Sequence, residues 1–169
     1  MTTEVIERTA RAWSNEPRSA QGKSQITARS QACQSAMQSG TFAWKADLPE
    51  GSSEWNQAPS PTTLLLSALA GGAVVFIKDT LAPQMGLRVY SVEATASCET
   101  DSRGLLGIDG VEPDLRHINV DLRIESTDGE EAVQRLLEVW EQRGPVYLAL
   151  IKPAKVKVSA RVINWYEDA

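Results

Sequence analysis

The chain is poor in the side chains that usually advertise chemistry, with one histidine and two cysteines, Cys33 and Cys98, among 169 residues. That scarcity excludes a disulfide framework, and without a CxxC or HExxH pairing it excludes the common zinc sites. No Walker A loop, GxGxxG or GxSxG occurs, which closes the usual routes to nucleotide binding and to serine-hydrolase chemistry. Neither a cofactor nor a metal is therefore expected. Positive charge is short too: 17 Lys and Arg face 22 Asp and Glu, giving a net charge of -5. No basic cluster is left to attract nucleic acid or an anionic membrane surface. The opening residues MTTEVIERTARAW lack the apolar core of a signal peptide, so a cytoplasmic protein is expected.

What the chain does have is apolar residues, 42% of the total, enough for one domain with a sizeable core. They are densest from Leu64 to Ile77, where only Ser67 is polar. Such a helix has no face for water and must be buried all round. It falls short of the roughly 20 residues needed to span a bilayer, and Lys78 and Asp79 follow at once, so no membrane span is expected. Ser60 is placed to cap its first amides and Pro61 suits the first helical position. Inside it lies Gly71-Gly72, and each glycine costs roughly 1 kcal/mol relative to alanine in a helix interior. One sheet can cover only one side of an all-apolar helix. A second copy of the chain is the economical cover for the other, which predicts a two-fold homodimer with the central helices inside.

In chain order, Thr3 to Trp13 reads as a short helix and residues 1–24 as an accessory segment ahead of a domain spanning 25–169. Gln25 to Cys33 and Gly40 to Ala46 read as two strands, with Ile26, Ala28 and Ala32 on one face and Arg29 and Cys33 on the other. Leu48 to Pro59, which includes Trp55, reads as a loop into the central helix, and Pro83 and Gly86 as its stop. Leu87 to Thr100 alternates with Tyr90, Val92, Ala94, Ala96 and Cys98 on the inner side. His117 to Ser126 alternates with Ile118, Val120, Leu122 and Ile124 inward. Between them, Asp101 to Leu115 reads as a long loop. Asp128 is the expected cap of an amphipathic helix ending near Arg143, broken by Gly144-Pro145. Val146 to Ile151 follows as a short apolar turn or helix, then Ala154 to Val162 as a last strand with alternate valines inward, and the chain closes on Asn164-Trp165-Tyr166. This order makes an α+β fold with a largely antiparallel sheet.

Three potentially reactive residues lie on the strands read above. His117 sits on a polar strand face, as a solvated side chain or as a functional one. Cys98 falls with the core set of its strand and reads as a small buried hydrophobe. Cys33 falls on the polar face, as an inert surface thiol or a reactive one.

Three blocks then stand out together: PSPTTLLLSALAGG, DSRGLLGID and QRGPVYLALIKPAKVKV. They resemble the OsmC and organic hydroperoxide resistance family over about Ile26 to Val162. The resemblance implies an intertwined α+β homodimer with two buried central helices, and thiol-peroxidase chemistry in the active members. There a cysteine in the central helix attacks the hydroperoxide, and a second, before a Pro-Val, closes a disulfide with the resulting sulfenic acid. The first of those positions falls here at Gly72, the second at Gly144 ahead of Pro145-Val146. A family glutamate near the helix start falls at Thr62 or Thr63, and Arg29 is the match offered to the arginine it orients. The resemblance therefore predicts a member without the familiar reaction. Three outcomes stay open: an apolar pocket at the dimer interface, lined by Gly72, Phe76, Gly144 and Tyr147, that binds a small apolar or carbonyl-bearing molecule; a structural or partner-binding dimer whose glycines allow close helix packing; or residual hydroperoxide reductase activity, including through Cys33.

Overall fold

The computed structural model describes residues 2–49, 56–152 and 154–163. Helix α1, Thr3–Asn15, is capped by the Thr2 hydroxyl, which accepts from the Val5 amide at 3.4 Å, and it buries Ile6. A three-stranded antiparallel meander follows: β1 Thr27–Gln31, β2 Gln34–Ser39 and β3 Phe42–Ala46. Two strands were expected here. The middle one, QSAMQS, carries no alternation of apolar and polar residues, and Ala32 turns the chain through a left-handed conformation with φ 51°. Cys33 therefore lies in the turn between β1 and β2 rather than on a strand face with Arg29. At the end of β3, the buried Asp47 carboxylate accepts from Gln34 Nε2 at 3.0 Å and from the Leu48 and Gln57 amides at 2.8 and 3.3 Å. Those bonds hold its pKa below the usual carboxylate value and fasten the meander to the segment leading into the central helix.

Helix α2, Pro61–Phe76, begins as expected, with the Ser60 hydroxyl accepting from the Thr63 amide at 3.2 Å and Pro61 in the first turn. It does not stop at Ile77. A wide π turn, Ile77–Leu81, carries it into α3, Ala82–Gln84, making one helical segment Pro61–Gln84 of 24 residues. By length and composition alone that segment could cross a membrane. Its place is against the sheet, however, and Lys78 Nζ ties the π turn to that sheet by donating to the Val89 carbonyl at 2.8 Å.

The sheet is the antiparallel pair β4, Val89–Glu99, and β5, Arg116–Ser126, in register Val92 with Ile124 and Ala96 with Val120. Its inner face is the expected one except at Tyr90, which a register shift between Val89 and Ser91 turns outward. Helix α4, Glu130–Arg143, starts at Gly129 rather than Asp128. The Asp128 carboxylate instead accepts from the Arg88 amide at 2.6 Å, bracing the start of β4. Helix α5, Pro145–Ile151, follows Gly144 directly. Ala73, Ile77, Leu81, Ala82, Leu136 and Trp140 form the core, with Val92, Val120, Leu122 and Ile124 of the sheet packed on it.

Two expectations of burial fail within one chain, for one physical reason. Leu69, Ala73 and Ile77 of the central helix are buried, whereas Val75 is 61% exposed, because sheet and helices cover only one side. Residues 154–163 form no strand, and Val156, Val158 and Val162 are 84%, 91% and 82% exposed. Among the described residues no strand pairs with them, so their alternating valines have nothing to face. Trp55 and Asn164-Trp165-Tyr166 lie outside the described residues.

Candidate functional site

The chain breaks between α4 and α5 beside the middle of α2, and a cavity of about 370 Å³ opens there. Helical spacing puts Leu69, Gly72 and Phe76 of α2 on one wall. Trp140, Gly144, Val146 and Tyr147 form the other. Gly72, Phe76, Gly144 and Tyr147, proposed from sequence as one site, thus line one space.

The two glycines are not equivalent. A Cβ at Gly72 would stand 3.8 Å from Val146 Cγ2, an ordinary contact, and one at Gly71 would meet nothing within 4 Å. Neither therefore serves close packing within the chain. A Cβ at Gly144 would stand 3.0 Å from the Trp140 carbonyl and 3.1 Å from its indole Nε1. The Gly144 amide donates to that same carbonyl at 2.6 Å, and the indole leans on Tyr147 with ring centroids 5.0 Å apart. The space a side chain at 144 would need is thus taken by Trp140. From sequence Trp140 was only part of an apolar stripe; its position four residues before Gly144, one helical turn back, is the signal that places it under the break.

Among the described residues the lining holds no thiol and no carboxylate. Arg143 reaches the edge of the cavity, exposed, with its Nη1 donating to Gln84 Oε1 at 3.2 Å. The other candidates lie elsewhere. Thr62 and Thr63 line a separate cavity of about 260 Å³ at the start of α2, together with half-buried Cys98 and with Asp101. Asp101 pairs with Arg103 at 2.6 Å, and that hydrogen-bonded guanidinium lowers its carboxyl to about 2. Arg29 is exposed on β1 and lines neither cavity, and Cys33 is exposed in its turn. His117 is exposed, with Nε2 3.9 Å from a Glu99 carboxylate oxygen. Among the described residues no cluster of His, Cys, Asp and Glu could hold a metal ion.

An antiparallel pair laid on a long apolar helix, with an amphipathic helix breaking at Gly-Pro beside a cavity on that helix, defines an α+β protein whose candidate site lies along its central helix. The chain belongs to the OsmC-like protein family, whose sequence pattern matches residues 51–159. Its fold is shared with an OsmC-like protein from Mycoplasma pneumoniae, at 19% identity over 78% of this chain and 89% of that one, with a TM-score of 0.66. An organic hydroperoxide resistance protein from Elizabethkingia anophelis, solved with thiocyanate bound, is 16% identical over 79% and 91% of the two chains, with a TM-score of 0.62. The organic hydroperoxide resistance protein OhrB of Bacillus subtilis is 16% identical over 78% and 93%, with a TM-score of 0.53. No curated protein matches the chain.

The contrast between the glycines is measurable. Gly72→Ala should stabilise the protein by roughly 0.5–1 kcal/mol, since it removes a helix glycine where space is free. Gly144→Ala should destabilise it by about 1–3 kcal/mol, the cost of forcing a methyl group against a backbone carbonyl. Urea unfolding of both variants checks this, and the opposite order of stabilities would contradict the packing described.

Proposed function

We propose that this OsmC-like protein binds a small apolar molecule in the Gly72–Gly144 cavity and has lost the thiol-peroxidase reaction. One observation carries the reading: the two positions where the family resemblance calls for cysteine line the same apolar cavity, and no sulfur replaces them there. Family membership supports a stress-related role, and the loss concerns the chemistry by which that role is filled. A peroxidase of this type needs a low-pKa thiolate to attack the O–O bond and a second thiol to receive the sulfenic acid. Cys98 lines a different cavity and Cys33 sits in an exposed turn, so neither is held against the central helix beside Gly72. A cavity of about 370 Å³ walled mainly by Phe, Trp, Tyr and aliphatic side chains is of the size that takes small ligands.

The active unit in this reading is a homodimer. The exposed side of α2 and the unpaired, valine-bearing segment 154–163 are apolar surfaces that a second copy would cover, the first by helix packing and the second by strand pairing.

Incubated with cumene hydroperoxide and a dithiol reductant, the purified protein should consume peroxide no faster than the reductant alone. Robust turnover that Cys33→Ser or Cys98→Ser abolishes would overturn the loss of activity. Light scattering at micromolar concentration should return the mass of two chains; a monomeric mass would refute the shared-helix dimer.

A further inference from the structure

Trp140 is 6% exposed, and its indole N–H meets no acceptor among the described residues. A buried donor left unpaired carries the desolvation cost of a polar group with nothing in return, and buried tryptophans ordinarily satisfy it. The N–H edge faces a particular space. Nε1 lies 3.1 Å from where a Cβ on Gly144 would sit and Cδ1 3.4 Å from it, so that edge of the ring is turned toward Gly144. Gly144 lines the cavity shared with Gly72 and Phe76. A second cavity of about 400 Å³, which also touches Trp140 and Tyr147, does not include it.

We propose that the Trp140 indole N–H is the donor that anchors the carbonyl oxygen of a small, uncharged and otherwise apolar ligand in the Gly72–Gly144 cavity, an inference that rests on the ligand-binding reading above. The lining selects this chemistry. The one cation on the lining among the described residues, Arg143, is exposed at the cavity's edge and already donates to Gln84, so the interior offers a carboxylate or phosphate no buried charge to offset its lost hydration. The indole offers a donor and no acceptor, so an acceptor-only group such as a ketone or aldehyde carbonyl matches that edge best. The glycine at 144 is then functional in a new sense: any side chain there would stand between the indole and the ligand.

Acetophenone and α-methylstyrene, which share an outline and differ in carrying C=O or C=CH₂, test this on the ¹⁵N-labelled full chain. Trp140→Phe assigns the indole signal, and 3-benzothienylalanine at position 140 keeps the bicyclic outline without the N–H. Acetophenone should move the Trp140 indole proton downfield and bind about three- to tenfold more tightly than α-methylstyrene, the range set by one neutral hydrogen bond. The benzothienylalanine protein should bind the two probes equally, and Gly72→Leu should block both. Equal binding of the probes by the unsubstituted protein with the indole signal unmoved would overturn the anchor and leave the cavity reading standing. Binding of neither probe, or binding that survives Gly72→Leu, would overturn both.

Discussion

A helix with no polar face has to be covered on every side, and the rest of this structure is arranged around that requirement. Helix α2 and its continuation to Gln84 take the inner face of β4–β5 on one side and α4 with α5 beside it. The attachments fall where cover begins and ends. Ser60 caps the start, and Lys78 pins the π turn to the Val89 carbonyl. Asp128 braces the first residues of β4 from the far end of β5. The side left over, marked by Val75, is apolar as well. That leftover face and segment 154–163, which no strand pairs among the described residues, are the two apolar surfaces left uncovered there.

The site follows from the same geometry. A cavity persists on α2 because the Gly144-Pro145 break turns α5 away from α4 just where Gly72 of the helix withholds a side chain. Its chemistry is set by what fills the gaps. Val146 approaches Gly72 only to ordinary contact, whereas Trp140 closes the space over Gly144 with its indole and carbonyl. The result is a mostly apolar cavity with the Trp140 indole edge beside Gly144 and Arg143 at its rim.

Much of this was legible in the residues, and the misses have physical causes. The central helix, its cap and the inward set of β5 were readable because a period of 3.6 or 2 needs only the pattern of apolar residues. Gly72, Phe76, Gly144 and Tyr147 could be grouped because family motifs fixed two of them. Strand β2 was illegible because its stability comes from neighbours on both sides and not from its own alternation. Tyr90 was misplaced because a bulge reverses parity, which no pattern of side chains announces. Residues 154–163 carry a good strand pattern, yet among the described residues no strand pairs with them, and a pattern alone cannot supply the partner. The placement of Trp140 was hidden in an amphipathic stripe, since only the break sets its indole edge against Gly144.

On the proposed reading, Gly72 and Gly144, where the family resemblance places cysteines, bound a space that stays open and apolar in the dimer. Crystals of the protein under xenon pressure test it most directly, since xenon enters dry apolar cavities without needing any specific group. A xenon atom between Gly72 and Gly144, bounded by Phe76 and Trp140, is the predicted result. A cavity filled by side chains of a second copy, with no xenon in it, would be the contradicting result.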